Sequence, residues 1–136
     1  MNYIIREMTN DDHEELYSFW KSIEGLKMDE SDYQDNFNSF LIRNPNLNYV
    51  VIHEKQIIGT IKCGHDGRRG YISHLAVNKK YQKYGIAKKL YNICIEELKK
   101  QGVLKCNLYI LGSNKSAYTF WQHNGWKELE HDFIML

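Results

Sequence analysis

Proline is almost absent from this chain: Pro45 stands alone, and the nine glycines are scattered, so no linker or low-complexity tract divides the sequence. Cysteine is scarce too. Cys63, Cys94 and Cys106 are odd in number and form no C-x-x-C pair, which excludes a disulfide framework and a zinc knuckle and leaves three buried thiols as the expectation. No apolar run approaches the ~18 residues of a membrane span, and residues 1–10 lack the basic start and apolar stretch of a signal peptide, so the expected location is the cytoplasm. Neither sign of charge is in excess. Eighteen Lys and Arg against seventeen Asp and Glu give a net charge of +1, which argues against a nucleic-acid binder that relies on a large positive surplus. Any charge recognition must be local. The 136 residues suit one domain, 1–136, and a chain of this length can bury roughly two thirds of its unfolded surface without a staple.

What is present alternates between two periods. Residues 2–8 read as a strand, and Thr9 with Asp12 forms a capping box before Leu16, Phe19, Trp20 and Ile23, which recur at helical spacing. Ser31 and Gln34 suggest a second box before a helix over about 32–43, closed by Asn44-Pro45. Residues 48–53 and 57–63 read as a hairpin across Glu54-Lys55-Gln56, and after the turn tract 64–70 a third strand follows at 71–77. A helix is expected from Gly85 to Gly102, a strand over 103–111, a helix over 114–123 and closing strands within 126–136. The order β-α-α-β-β-β-α-β-α-β combines a meander with one strand-helix-strand crossover, so the class is α/β with a mixed, mostly antiparallel sheet flanked by helices.

Chemistry concentrates in Val77 to Ala87, which runs from a strand end through a basic turn into a helix start. Unpaired N–H groups converge at a helix start, Gly85 permits close approach, and Lys79, Lys80, Lys83, Lys88 and Lys89 surround the point with positive charge. In principle this is a diphosphate cradle. It is neither a P-loop nor a G-x-G-x-x-G turn, and a solvated lysine-rich helix start is the plain alternative.

Gln82-Lys83-Tyr84-Gly85-Ile86-Ala87 resembles the [RQ]-x-x-G-x-[GA] motif of the GNAT N-acetyltransferases, preceded at the expected distance by the Leu75-Ala76-Val77 strand end. Asn114, Ala117, Phe120 and Gly125-Trp126 are similar to the family's second region. The turn at 64–70 looks most like that of small single-domain bacterial members of the YpeA type. The resemblance implies acetyl-CoA as co-substrate, lying between parallel strands 71–77 and 103–111 that splay apart, with no metal. The diphosphate would rest on the backbone of Gln82, Lys83, Tyr84, Gly85, Ile86 and Ala87. The pantetheine arm would pair with the backbone of Leu75, Ala76 and Val77 and meet Asn114, with Ala117 and Trp121 on the same coenzyme-binding side. A neutral amine would attack the thioester directly, and a backbone N–H near Val77 would stabilise the oxyanion.

Two proton transfers are then to be assigned: the amine must lose a proton to a base or a water chain, and the leaving thiolate benefits from a donor without strictly requiring one. Trp121 occupies the position, directly after Phe120, where the family commonly has a tyrosine acid, and an indole N–H cannot serve as a useful acid. Tyr118, on the same helix face, is the available phenol. His74, in the strand bordering the thioester, is the candidate base. Cys63 and His65 supply only two potential ligands, too few for a metal site. The segment between the first two helices should face the acceptor, and its Trp20, Lys21, Met28, Asp29, Glu30, Asp32 and Asp35 suit a cationic amine, although carboxylates also favour a helix start. The expected partner is a small-molecule or peptide amine, or a lysine side chain, with no nucleic acid or membrane, and the protein a monomer or homodimer. A non-catalytic acyl-CoA-binding module of the same fold is the alternative. A phosphate and stacking surface built on Lys79, Lys80, Lys83, Tyr81 and Tyr84 is a third reading, disfavoured by the balanced charge.

Overall fold

The computed structural model describes residues 1–110 and 114–128. Strand β1 (Ile4–Glu7) leads through a 3-10 turn, Asn10–Asp12, into helix α1 (His13–Ser22), and the Thr9/Asp12 capping box forms as its spacing predicts. A second 3-10 turn, Glu30–Asp32, precedes α2 (Gln34–Arg43). Here the expected box shifts register: Asp29 and Asp32 form it, and Tyr33 begins α2 without a side-chain cap. Asp29 wins over Ser31 because its carboxylate already holds the Ser31 N–H at 2.8 Å.

The strands β2 (Tyr49–His53), β3 (Gln56–His65) and β4 (Arg69–Val77) continue the meander, α3 (Ile86–Lys100) crosses over, and β5 (Lys105–Leu108) and α4 (Lys115–His123) follow. The turn between β2 and β3 is Glu54-Lys55, both in the left-handed region (φ 50° and 66°), so Gln56 belongs to the strand rather than to the turn. The sheet order is β1-β2-β3-β4-β5, antiparallel except for the parallel β4/β5 pair. The class and order expected from sequence hold through α4. The closing strands expected within 126–136 lie, from residue 129 on, outside the described residues.

Both faces of the sheet are covered, and neighbouring residues of one strand feed opposite cores. Val50 and Ile57 pack with Leu16, Phe19, Trp20 and Phe37 of α1 and α2, whereas Val51 and Ile58 pack with Leu90, Cys94 and Leu98 of α3. Residues 57–64 of β3 are therefore buried on both sides. Cys63 and Cys94 are buried as expected, and Cys106, on β5 at the end of the sheet among the described residues, is only half-buried.

One irregularity positions everything that follows. Thr60 pairs with Ala76 but Lys62 pairs with Ser73, so His74 and Leu75 together oppose Ile61, and His74 takes φ 50°. This bulge bends β4. Parallel pairing with β5 covers Arg69–Ile72 and Lys105–Leu108 and ends just before the bulge, which is why β5 is shorter than the stretch 103–111.

Candidate active site

The β4/β5 pairing stops at Ile72, so among the described residues the β5-side edge of residues 73–77 has no ladder partner and forms one side of a slot. The slot runs to a built turn. Asn78 Oδ1 accepts from Lys80 N at 3.0 Å, Gln82 Nε2 donates to Val77 O at 3.1 Å, and Lys83 and Gly85 both hold positive φ (72° and 76°). Gly85 starts α3 and has no side chain to cap it, so the first N–H groups of the helix stay open. A Cβ added at Gly85 would meet no protein atom within 4 Å and would project into open space. A strand edge without a ladder partner among the described residues, leading to a helix start with no side-chain cap among lysines, fits a thin chain ending in a diphosphate.

A pocket of about 610 Å³ opens beside the bulge, lined by Ser31, Asp32, Asn36, Phe40, Lys62, Ser73 and His74. Its charged groups are buried. Asp32 is 2% exposed and Lys62 5% exposed, and Lys62 Nζ donates to Asp32 Oδ1 at 3.1 Å. His74 Nε2 lies 2.9 Å from the same oxygen, at ion-pair distance but off the axis a hydrogen bond needs. The other carboxylate oxygen accepts from Asp29 N at 3.3 Å. Burial alone would push the Asp32 carboxyl up, yet His74 and Lys62 together hold it down at about 2. The Lys62 ammonium also sits 4.7 Å from the Phe40 ring centre. The backbone of His74 is fixed separately: its carbonyl accepts from Thr60 Oγ1 (2.7 Å), which accepts from Trp20 Nε1 (3.0 Å), and the Trp20 ring stands edge-on to the imidazole at 4.7 Å.

Along the chain, His74 at the pocket is followed by Leu75, Ala76 and Val77 at the end of β4 and then by the Gln82–Ala87 turn before α3. Asn114 caps α4, its Oδ1 accepting from Ala117 N at 3.1 Å. Tyr118 is exposed and turned toward Glu128, to which its hydroxyl donates at 2.8 Å, and that bond raises its pKa. Trp121 is 8% exposed within an aromatic cluster with Tyr91 and Trp126, a packing position on α4. Of the carboxylates between α1 and α2, Asp32 has both oxygens engaged within the protein and Asp29 is turned to Ser31, whereas Glu30 and Asp35 are exposed. Lys62 and Ser73 escaped the sequence reading. A lysine between Ile61 and Cys63 in an otherwise apolar strand was the available signal.

Comparison with known proteins bears on the fold and the family. The profile described as "Acetyltransferase (GNAT) family" matches residues 5–126. An acetyltransferase of Sodalis glossinidius is 29% identical over 118 residues, covering 87% of this chain and 82% of the relative. A GNAT-family acetyltransferase from Staphylococcus aureus superposes with a TM-score of 0.81 at 27% identity, covering 95% of this chain and 87% of that one. The PaiA N-acetyltransferase of Thermoplasma acidophilum, solved with coenzyme A, has the same fold, with a TM-score of 0.82 at 21% identity and coverage of 97% and 94%. With the matched profile spanning nearly the whole described structure, the chain belongs to the GNAT acetyltransferase family.

Proposed function

We propose that this protein is an acetyl-CoA-dependent N-acetyltransferase whose acceptor is a primary amine on a small molecule, a peptide N-terminus or a lysine side chain. The observation that carries the reading is the meeting of slot and pocket at the His74 bulge. The family membership and the coenzyme A in the PaiA complex support it. When bound, acetyl-CoA supplies a thioester carbonyl for attack. The turn Gln82–Ala87 holds the diphosphate, Leu75, Ala76 and Val77 align the pantetheine arm, and the Asn114 side chain, with Ala117 and Trp121 behind it on α4, flanks the arm. A backbone N–H near Val77 faces the developing oxyanion.

The amine arrives protonated and must lose a proton before it attacks. His74 takes it. Tyr118 is the phenol proposed to protonate the leaving thiolate once it releases Glu128, although a thiol of pKa near ~8.5 leaves acceptably without a donor. Thiol release with an amine panel at saturating acetyl-CoA tests the reading, with His74→Gln beside the parent. The expected result is amine-dependent release, slowed about 10² to 10⁴-fold in the variant. Tight acetyl-CoA binding with no release for any amine would overturn the enzymatic reading in favour of a coenzyme-binding module.

A further inference from the structure

We propose that Asp32 and Lys62 are positioning residues that hold the His74 imidazole as a neutral ring with its proton on Nε2, so that Nδ1 keeps its lone pair for the acceptor amine. The proposal rests on His74 being the base. Its ground is the asymmetry of the ring's surroundings. Nε2 is sealed from solvent and faces Asp32 Oδ1 at 2.9 Å. Nδ1 has no hydrogen-bond partner among the described residues and is not sealed, and the ring lines the pocket. The contact is not an aligned hydrogen bond, but a carboxylate 2.9 Å away attracts a proton on the nitrogen that faces it and repels a bare lone pair there, which favours the tautomer protonated on Nε2.

A lone carboxylate there would also favour the imidazolium, which cannot act as a base. Lys62 prevents that. Its ammonium, 3.1 Å from the same oxygen, offsets the Asp32 charge, so the carboxylate orients the ring without keeping it permanently protonated. The charged groups around the imidazole are Asp32, with Asp29 behind it, from the turn before α2, and Lys62 from β3; Trp20 of α1 adds an uncharged wall. Lysine and aspartate therefore pull the proton affinity of His74 in opposite directions, and removing one exposes the other.

This opposition supplies a signature that simple structural support does not. In rate profiles at saturating substrates, Lys62→Met should move the low-pH limb to higher pH and Asp32→Asn should move it to lower pH, each by about one unit or more. Nitrogen-15 NMR of histidine-labelled protein, with the His74 signals identified by their loss in His74→Gln, should show Nε2 protonated and Nδ1 bare in the parent near neutral pH. The NMR needs no turnover, so it reads the tautomer even if a variant folds poorly or every amine is refused. Absence of any acetylation would defeat the functional reading. Acetylation with a proton on Nδ1, or with limbs that stay together in both variants, would overturn the positioning proposal alone.

Discussion

Asp32 is the carboxylate that meets both Lys62 and His74 in the pocket, and its effect on stability has a definite sign. Its carboxyl is held at about 2 in the folded chain against an ordinary 3.8. A depressed carboxyl stabilises the fold fully above the unfolded value and loses that contribution as pH falls through the folded one. Denaturant unfolding followed from pH 7 downward should therefore show stability falling between about 4 and 2. Asp32→Asn should flatten that window, and at neutral pH it should cost about 3–5 kcal/mol because it strands the buried Lys62 charge. An unchanged acid slope in the variant would mean that the Asp32 carboxylate is not held by its neighbours. Neither member of this pair could be matched to the other in the sequence. Thirty positions separate them, and Lys62 reads locally as one polar residue in a strand, while Asp32 reads as a helix-start carboxylate. Their partnership exists only because β3 and the turn before α2 pack on the same face of the sheet.

Two glycines set how elements approach the coenzyme path. Gly85 holds φ 76° at the start of α3 with open space where a Cβ would point. Gly85→Val should weaken acetyl-CoA binding more than tenfold in calorimetry, since the branched side chain would fill that space and strain the turn by about 1–3 kcal/mol. Unchanged affinity in a folded variant would place the diphosphate elsewhere. Gly25, beyond the end of α1 with φ 83°, rests against the α4 cap so closely that an added Cβ would lie 2.6 Å from Asn114 Nδ2. Gly25→Ala should push Asn114 aside and raise the KM for acetyl-CoA several-fold while the far-ultraviolet spectrum stays that of the parent. Identical kinetics would show that Asn114 does not need this contact. The Gly85 turn was legible because its glycine, lysines and helix start are contiguous. The length of β5 was not, since nothing in its alternating residues records that a bulge two residues beyond Ile72 ends its ladder.

Among the described residues the molecule is a sheet covered on both faces whose β4/β5 pairing stops at Ile72, leaving a gap beyond it. Antiparallel order through β4 and the crossover to β5 followed from hydrophobic period and turn residues, and the family motifs fell on the strand end and helix start that the fold puts beside the gap. The acceptor side was less legible because it is assembled from the turn at Glu30–Asp32, α2, β3 and the bulge in β4, which meet only after packing. The described residues also contain no helix long and apolar enough to cross a membrane and no group of side chains suited to a metal. Slot and pocket are proposed to join one thioester to one amine at His74. Mass spectrometry of the acceptor, run together with thiol release on the same samples, tests this most directly. One acetyl group should be gained on the acceptor nitrogen for each thiol freed, with both signals lost together in Gly85→Val at limiting acetyl-CoA. Thiol release without an acetylated amine, or acetylation that persists undiminished in that variant, would contradict it.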